Sequence, residues 1–420
     1  MKKKIKSQAL YYLALVFIIC IPYNFKMNEL KYNYINNIWK LYVIKVARNA
    51  MFMMPIITLF FQERGLTMTE IMLLQSIFAI AIVLLELPSG YLADIFSRKT
   101  LITLALFFAT LGDLLYGFAY GFWMILVAEL LLAVAGAFLS GADSALLYDS
   151  LKSTQKENEY LKYESRLFSS ANISEATGAV LGGFIATYSM TATFFLSAFI
   201  IFLSIPIALS LKEPPREKIP KDKKHSKEIF KIIKFAIHSN KRIKWLIIYS
   251  SAVGASTLAA VWLLQPYFKL LNIPIAYFGI LWATFNASAA VFALLAHKIE
   301  KSLGLKNTLI FLALAPMVAH IALYKFTYLW TLVFVFLYYI SFALSGPIIK
   351  DYINREIDSK IRASILSVHS LFSRFVFIVF SPLVGYFADI YSLQNAFLAS
   401  AVIFGTLCIA SLPFLIKSRN

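Results

Sequence analysis

The sequence predicts an all-α membrane protein, a bundle of about twelve transmembrane helices. Hydrophobic residues make up 60% of the 420 residues and charged residues only 15%, whereas a soluble domain carries about 25% charged residues. The apolar residues fall into runs of about twenty, the length that a helix needs to cross a hydrocarbon core of roughly 30 Å. Only helices and closed barrels satisfy their backbone in lipid, and these runs lack the alternation of barrel strands.

The apolar runs form two sets, separated by a polar stretch. The first set covers residues near 40–62, 67–93, 99–119, 122–149, 164–187 and 191–211. The second set covers residues near 245–268, 274–296, 306–323, 328–349, 362–388 and 393–416. We therefore expect four regions, which are a basic and apolar N-terminal extension at 1–38, a six-helix half at 39–211, a basic linker at 212–244 and a second six-helix half at 245–420.

The distribution of basic residues predicts the orientation of the bundle. The linker carries 12 Lys or Arg residues against 4 Asp or Glu residues, so we expect a solvated connection on the cytoplasmic face. Loops on the same side carry further basic residues, namely Arg98, Lys99, Lys152, Lys156 and Lys162. By the positive-inside rule both ends of the bundle are cytoplasmic. This pattern explains the net charge of +18 without a nucleic-acid partner.

The N-terminal extension has two interpretations. Four lysines among its first six residues precede an apolar run from Ala9 to Pro22, which is short for a full span. No small-residue cleavage site follows this run, so a cleaved signal peptide is disfavoured. The extension is then either an interfacial anchor or a segment upstream of a start at Met27, which leaves open whether residues 1–26 belong to the mature protein.

The two halves share a weak internal repeat. Gly183 and Gly385 lie in similar stretches of sequence, and Asp149 and Asp351 are separated by the same 202 residues. Two matches at one offset suggest two related six-helix halves, as in membrane proteins that are built from parallel repeats.

The loop between the second and third spans carries the clearest motif, GYLADIFSRKT from Gly90 to Thr100. It resembles the signature loop of the major facilitator superfamily, with Gly90, Asp94, Arg98 and Lys99 on the pattern and Ser97 in place of the second glycine. Gly90 allows close approach of a neighbouring helix. The resemblance implies two six-helix halves around a central cavity, and a conformational latch formed by Gly90, Asp94, Arg98, Lys99 and the helix 4 acid Asp149.

Two further stretches resemble drug-exporting or unassigned bacterial members of that superfamily, LLELPSG before the loop and SGADSALLYDSLK at the end of helix 4. In helix 5, proton-coupled exporters commonly have Gly-Pro-x-x-Gly-Gly, whereas this chain keeps Gly178, Gly182 and Gly183 but lacks the proline. Ser174, Gly178 and Gly182 recur every four residues, which also fits a simple packing face.

Ionisable side chains within spans cost at least about 2.5–3.5 kcal/mol each on insertion scales, so each needs a reason. Six are candidates for binding protons or substrate, namely Arg48, Glu86, Glu129, Asp143, Glu175 and Arg374. Arg48, Glu86 and Asp143 fall roughly 10 Å from the cytoplasmic edge, which suggests a buried network. This network is either a structural pair or a relay for protons and substrate.

Glu175 and Arg374 lie nearest the middle of their spans and are the sharpest site candidates, although a lock between the halves would also explain them. Asp113 is expected to be a packing residue, because helix 3 is usually peripheral in the superfamily. The second half has no carboxylate deep in a span, so a coupling proton should bind to one of Glu86, Glu129, Asp143 and Glu175.

The second half offers polar and aromatic side chains for a cavity instead, namely Trp262, Gln265, Asn286, Tyr338 and Tyr339. His320 and His369 are expected to be hydrogen-bonded packing residues. The 16% aromatic content suits an amphipathic substrate but is also common at membrane interfaces.

No motif supports catalysis. The chain has no phosphate-binding Gly-Lys loop, no His-Glu-x-x-His pair and no nucleophile elbow. Cys20 and Cys408 lie in apolar segments and predict neither a disulfide nor a metal site. We expect no enzymatic activity, no cofactor and no metal.

These observations predict a secondary transporter that exports a small amphipathic or hydrophobic compound by alternating access, with the proton as coupling ion. We expect a monomer in the lipid bilayer of a bacterial cell membrane, with a small molecule as substrate. The alternatives are an uptake permease for a nutrient or metabolite, a lipid flippase, and a non-transporting sensor on the same fold.

Overall fold

A computed structural model describes residues 32–215, 241–357 and 362–416, without the side chains of residues 32–33, 86–95 and 363–364. The N-terminal segment 1–31 and most of the basic linker lie outside the described residues. Three predicted site residues, Glu86, Gly90 and Asp94, lie in the stretch 86–95, where the structure describes the main chain only.

The first part of the chain forms eight helices, which are α1 (Tyr32–Asn49), α2 (Ile57–Glu63), α3 (Met68–Ile95), α4 (Arg98–Phe118), α5 (Gly121–Leu139), α6 (Ala142–Ser153), α7 (Tyr160–Ala186) and α8 (Met190–Leu209). The second part forms α9 (Lys241–Leu270), α10 (Phe278–Lys325), α11 (Leu332–Arg355), α12 (Arg362–Ile390) and α13 (Leu393–Ile416). Single 3₁₀ turns lie at Glu157–Glu159, Ile275–Tyr277 and Leu329–Thr331. The described residues contain no strand, which confirms the all-α prediction.

Three breaks explain how the thirteen helices of the described residues correspond to twelve spans. Pro55 lies in the break between α1 and α2, where its ring and missing N–H prevent a continuous helix. Gly141 separates α5 from α6 with a φ of 77°, and Gly304 divides α10 into two spans with a φ of 73°. Both angles lie in the left-handed region that favours glycine.

Length and hydropathy identify nine candidate membrane spans among the described helices. One of them, Ile275–Lys325, contains two spans because of the break at Gly304. The two remaining spans are α1 with α2, and α7. Their helices carry several charged residues, including Lys45, Arg48, Glu164 and Glu175, which lowers their hydropathy.

The first span begins earlier than the sequence predicted, at Tyr32 rather than near residue 40. Asparagines in this region favour a loop, but Asn37 is fully buried. Its side chain donates to the Ser150 hydroxyl at 2.9 Å and to the Lys212 carbonyl at 2.7 Å, and accepts from the Lys212 N–H at 3.0 Å. These bonds satisfy the amide and tie the start of span 1 to the ends of spans 4 and 6.

The chain divides into two compact units. Unit 1 takes in the described parts of residues 1–60, 80–220 and 275–283, and unit 2 those of residues 61–79, 221–274 and 284–420. Each unit has its own apolar core. One core is formed by α1 and α4 to α8 and includes Leu146 and Leu147. The other is formed by α9 to α13 and includes Tyr249 and Ile353. The four regions expected from the sequence stay a prediction.

The small residues of α7 pack against span 1 within unit 1. The Ser174 hydroxyl donates to the Val46 carbonyl at 2.8 Å. A Cβ on Gly178 would lie 3.1 Å from the Met51 nitrogen, and one on Gly182 would overlap the Phe52 carbonyl oxygen. The packing face predicted in helix 5 is thus confirmed, and it covers the break in span 1.

Because Gly182 contacts main chain, Gly182→Ala should destabilise the protein by about 1–3 kcal/mol through overpacking. Gly254→Ala is the matched control, since no atom lies within 4 Å of its added Cβ and alanine favours a helix. Thermal unfolding of both variants in one detergent, followed by circular dichroism, measures the difference. Equal unfolding temperatures for the two variants would contradict the close contact.

Candidate functional site

A buried acid on span 3 lies within the electrostatic influence of an arginine on span 1, both in unit 1. Arg48 lies in the last turn of α1, and its charge acts on Asp113 in the middle of α4. Asp113 is only 1% exposed, and neither of its carboxylate oxygens has a hydrogen-bond partner among the described residues. Arg48 therefore supplies its electrostatic compensation without a direct hydrogen bond.

A second acid lies close to this pair. Tyr116, one turn after Asp113 in α4, is buried and hydrogen-bonds with Glu129 of α5, which is also buried. The charges of both acids act on the Tyr116 hydroxyl. Arg48, Asp113, Tyr116 and Glu129 thus form one polar group among three spans, here called the Arg48 cluster.

Asp143, which was expected to share a network with Arg48 and Glu86, pairs with Lys45. The Lys45 Nζ atom lies 2.6 Å from the Asp143 Oδ2 atom. The reason is the early start of α1: Arg48 lies about 24 Å along this helix at 1.5 Å per residue, level with Asp113 at about 22 Å along α4. Lys45 was missed, although it lies three residues before Arg48 and so on the same helix face.

Asp143 opens the helix that follows the break at Gly141. One of its oxygens accepts from the Ser144 N–H at 2.8 Å, and the Ser144 hydroxyl donates to Glu164 of α7 at 2.7 Å. Spans 1, 4 and 5 are therefore connected by polar contacts around Asp143.

The signature loop forms its own cluster at the start of α4. The Arg98 guanidinium pairs with Asp149 and donates to the Ala145 carbonyl at 2.5 Å. Glu213 accepts from the N–H groups of Arg98 at 3.0 Å and Lys99 at 3.1 Å, so a carboxylate lies at the positive end of the helix. The motif predicted the Arg98–Asp149 partnership, but no sequence signal indicated Glu213.

Glu175 lies on α7 and has an aromatic partner. The Trp282 Nε1 group donates to the Glu175 Oε1 atom at 3.4 Å, within unit 1. Arg374, the other candidate from mid-span, lies on α12 in unit 2 and is partly exposed.

Unit 2 contains the predicted cavity residues. Gln265 and Tyr338 are buried, whereas Trp262 and Asn286 are partly exposed. The rings of Tyr339 and Phe285 stack at 5.4 Å.

The two histidines of unit 2 are hydrogen-bonded, as predicted. His320 is fully buried and hydrogen-bonds with Tyr338 at 2.8 Å and with Ser256 at 3.0 Å, while His369 hydrogen-bonds with Ser250 at 2.8 Å.

The segment from Gly385 to Asp389 of α12 contacts the start of α3, and both lie within unit 2. Asp389 accepts from the N–H groups of Met68 at 2.8 Å and Thr69 at 2.7 Å, and from the Thr69 hydroxyl at 2.5 Å. One turn earlier, a Cβ on Gly385 would lie 2.6 Å from the Met68 carbonyl oxygen. No local pattern in the sequence predicts this contact. Among the described residues, no group of three or more His, Cys, Asp or Glu side chains could hold a metal.

These helices and buried charges define a polytopic membrane protein of the transporter class. The family model of the Major Facilitator Superfamily matches residues 46–381, so the chain belongs to this superfamily of transporters, which are not enzymes. The twelve-helix major facilitator fold and the resemblance noted in the signature loop are thereby confirmed.

Several curated relatives carry names of resistance proteins. The chain is 26% identical to Multidrug resistance protein 1 of Bacillus subtilis over 50% of this chain and 52% of the relative. It is 26% identical to Multidrug resistance protein 2 of the same organism over 60% and 63%, and 22% identical to the quinolone resistance protein NorA of Staphylococcus aureus over 39% and 41%. Each match thus covers less than two thirds of the relative.

Solved structures share the fold over almost the whole chain. The nucleoside transporter NupG superposes with a TM-score of 0.76 at 15% identity, covering 91% of this chain and 100% of NupG. A D-xylose-proton symporter superposes with a TM-score of 0.67 at 13% identity, covering 91% and 97%. These similarities show the fold alone.

The Lys45–Asp143 pair should behave as a partly buried salt bridge. Lys45→Met leaves Asp143 without its cation and should cost about 1–3 kcal/mol of unfolding free energy. Lys45→Met combined with Asp143→Leu should cost less than Lys45→Met alone, because no charge remains uncompensated. A double-mutant cycle of thermal unfolding measures the coupling, and strictly additive losses would show that the two side chains do not interact.

Proposed function

We propose that this protein is a secondary active exporter, which uses proton entry to drive a small amphipathic or hydrophobic compound out of the cell. It acts as a monomer in the cell membrane, with both ends of the bundle in the cytoplasm, as the basic loops favour. The names of the relatives from Bacillus subtilis and Staphylococcus aureus support the choice of substrate class. The observation that carries the proton coupling is the Arg48 cluster.

We assign the coupling proton to Asp113. A carboxylate that is 1% exposed and receives no hydrogen bond from the described residues depends on Arg48 for its compensation. When Asp113 binds a proton, the charge of Arg48 is left without this compensation in a medium where charge is costly. Proton binding thus removes the electrostatic attraction between Asp113 and Arg48 at the end of α1.

Because Arg48 lies beside the break in span 1, proton binding at Asp113 can alter the conformation of that span. Arg48 lies two residues before the break at 50–56, where span 1 is held by local turns and by the glycine face of α7. A segment with an existing break requires no further loss of helical hydrogen bonds to bend. We propose that proton binding at Asp113 is transmitted through Arg48 to this bend, and so to alternating access.

The signature loop has a separate role in this mechanism. Arg98, Asp149 and Glu213 connect spans 3, 4 and 6 at one end of unit 1. With Gly90, Asp94 and Lys99, they form a latch that holds one conformation and is released in the other.

Transport into inside-out vesicles tests the coupling. A pH-sensitive dye reports the proton gradient after cationic, neutral and anionic amphipathic compounds are added. A compound that dissipates the gradient with the native protein should have no effect with Asp113→Asn, whereas downhill exchange of that compound should persist. Glu157→Gln, at an exposed carboxylate, is the control and should respond like the native protein.

Two results would contradict this assignment. Normal gradient dissipation by Asp113→Asn excludes Asp113 as the coupling group, and leaves Glu86, Glu129, Asp143 and Glu175 to be tested in the same way. If no compound in the panel dissipates the gradient with the native protein, proton-coupled export is rejected in favour of uptake or lipid transport.

The latch predicts a loss of turnover without a loss of folding. Arg98→Gln and Asp149→Asn should each slow transport about tenfold or more, which corresponds to at least about 1.4 kcal/mol in the barrier. The exchanged pair, Arg98→Asp with Asp149→Arg, should recover part of the rate because the opposite charges still meet. Initial transport rates at equal protein amounts measure this, and full activity of either single variant, or of Asp94→Asn, would reject the latch.

A further inference from the structure

We propose that Glu175 and Trp282 form a binding subsite for an organic cation with an aromatic or apolar body. This inference rests on the proposed export function and names the class of its substrate. Among the charged groups within the spans of unit 1, Glu175 differs from the others in its partners.

Four of these groups have a compensating charge, whereas Glu175 has none among the described residues. Lys45 pairs with Asp143, and Arg48 acts on Asp113. Among the described residues, Glu175 forms no ion pair, and its polar contact is the indole N–H of Trp282 at 3.4 Å. A bond of this length is weak, so the carboxylate keeps most of its capacity to interact with a positive charge.

Glu175 also lies where charge is most costly. It is fifteen residues after Tyr160, so at 1.5 Å per residue it lies about 22 Å along a helix of about 40 Å. An acid in this place is expected to have a functional partner. A bound cation supplies the missing charge and relieves the cost.

The packing of α7 against the start of α10 differs between the glycines and this carboxylate. A Cβ on Gly183 would lie 2.9 Å from the Gly279 nitrogen, so the two main chains touch there. Glu175 lies two turns before Gly183, and Trp282 lies one turn after Gly279. Since a carboxylate and an indole fit at this level, the helices must be farther apart there than at the glycines. The two helices therefore meet through main chain at the glycines and through the side chains of Glu175 and Trp282 at this level.

The chemistry of the two side chains selects the type of cation. Hard ions such as Na⁺ and Mg²⁺ require several oxygen ligands, and no group of three acids, histidines or cysteines meets here among the described residues. An indole face attracts weakly hydrated organic cations, while the carboxylate supplies the opposite charge. The ligand should therefore carry a delocalised or shielded positive charge and a large apolar surface.

Tetraphenylphosphonium is the test ligand, because tetraphenylborate has the same shape and size with the opposite charge. Equilibrium binding of both ions is measured on the purified full-length protein in detergent, without a proton gradient. We expect the native protein to bind the phosphonium and not the borate. Glu175→Gln should weaken phosphonium binding at least about tenfold, Glu175→Asp should weaken it less, and Trp282→Leu should weaken it several-fold. Glu157→Gln should bind like the native protein.

Native affinity in Glu175→Gln, or equal binding of both ions by the native protein, would overturn the subsite. A thermal unfolding curve like that of the native protein shows that Glu175→Gln is folded, and Glu175→Asp provides the same test with its charge retained. Because binding is measured without a gradient, its outcome is independent of the vesicle assay. Charge-selective binding at Glu175 without proton movement would keep the subsite and reject the proposed coupling.

Discussion

A helix in hydrocarbon has no water with which to bond its main chain, and this constraint determines where the helices of this protein can bend and touch. Span 1 bends where Pro55 prevents a regular helix, and its polar groups there form short local turns such as Met51 N–H to Asn49 carbonyl. The bend is then covered by α7 at Gly178 and Gly182, where no side chain separates the two main chains. The break and the glycine face thus depend on each other: the glycines let α7 cover the main chain of the break, which lipid could not stabilise.

The same medium arranges the charges. Lys45 and Asp143, like Arg48 and Asp113, place opposite charges on neighbouring helices, so each pair is nearly neutral within the bundle. The two pairs differ in one respect. Asp143 makes a direct bond to its lysine and a second to the Ser144 N–H, while Asp113 receives no hydrogen bond from the described residues. Of the two acids, Asp113 therefore loses less when it binds a proton, which is why we propose the coupling role for a residue that the sequence classed as packing.

Local patterns predicted most of the helices but few of the partners. Runs of apolar residues located the spans, the motif around Arg98 pointed to Asp149, and the four-residue spacing of Ser174, Gly178 and Gly182 predicted a packing face. The start of α1 was missed because the amide of Asn37 is satisfied by Lys212, 175 residues away, and no local pattern reports such a bond. The partners of Asp113, Asp143 and Asp389 were missed for the same reason. The depth of a residue within a span is counted from the first residue of its helix, so an error in that start shifts the depth. Because α1 begins early, Arg48 lies at the level of Asp113.

The internal repeat shows how similar packing can carry different chemistry. Gly183 and Gly385 are 202 residues apart, and each lies against the first turns of another helix, α10 in unit 1 and α3 in unit 2. In unit 2 the contact is reinforced by Asp389, whose carboxylate binds two N–H groups of α3 at the positive end of that helix. The residue at the corresponding position in unit 1 is Thr187, whose hydroxyl donates to the Phe184 carbonyl of its own helix. The contact in unit 1 therefore depends on close main-chain packing, whereas the contact in unit 2 also depends on a charge. Removal of one carboxylate would therefore weaken the contact in unit 2 and leave the contact in unit 1 unchanged.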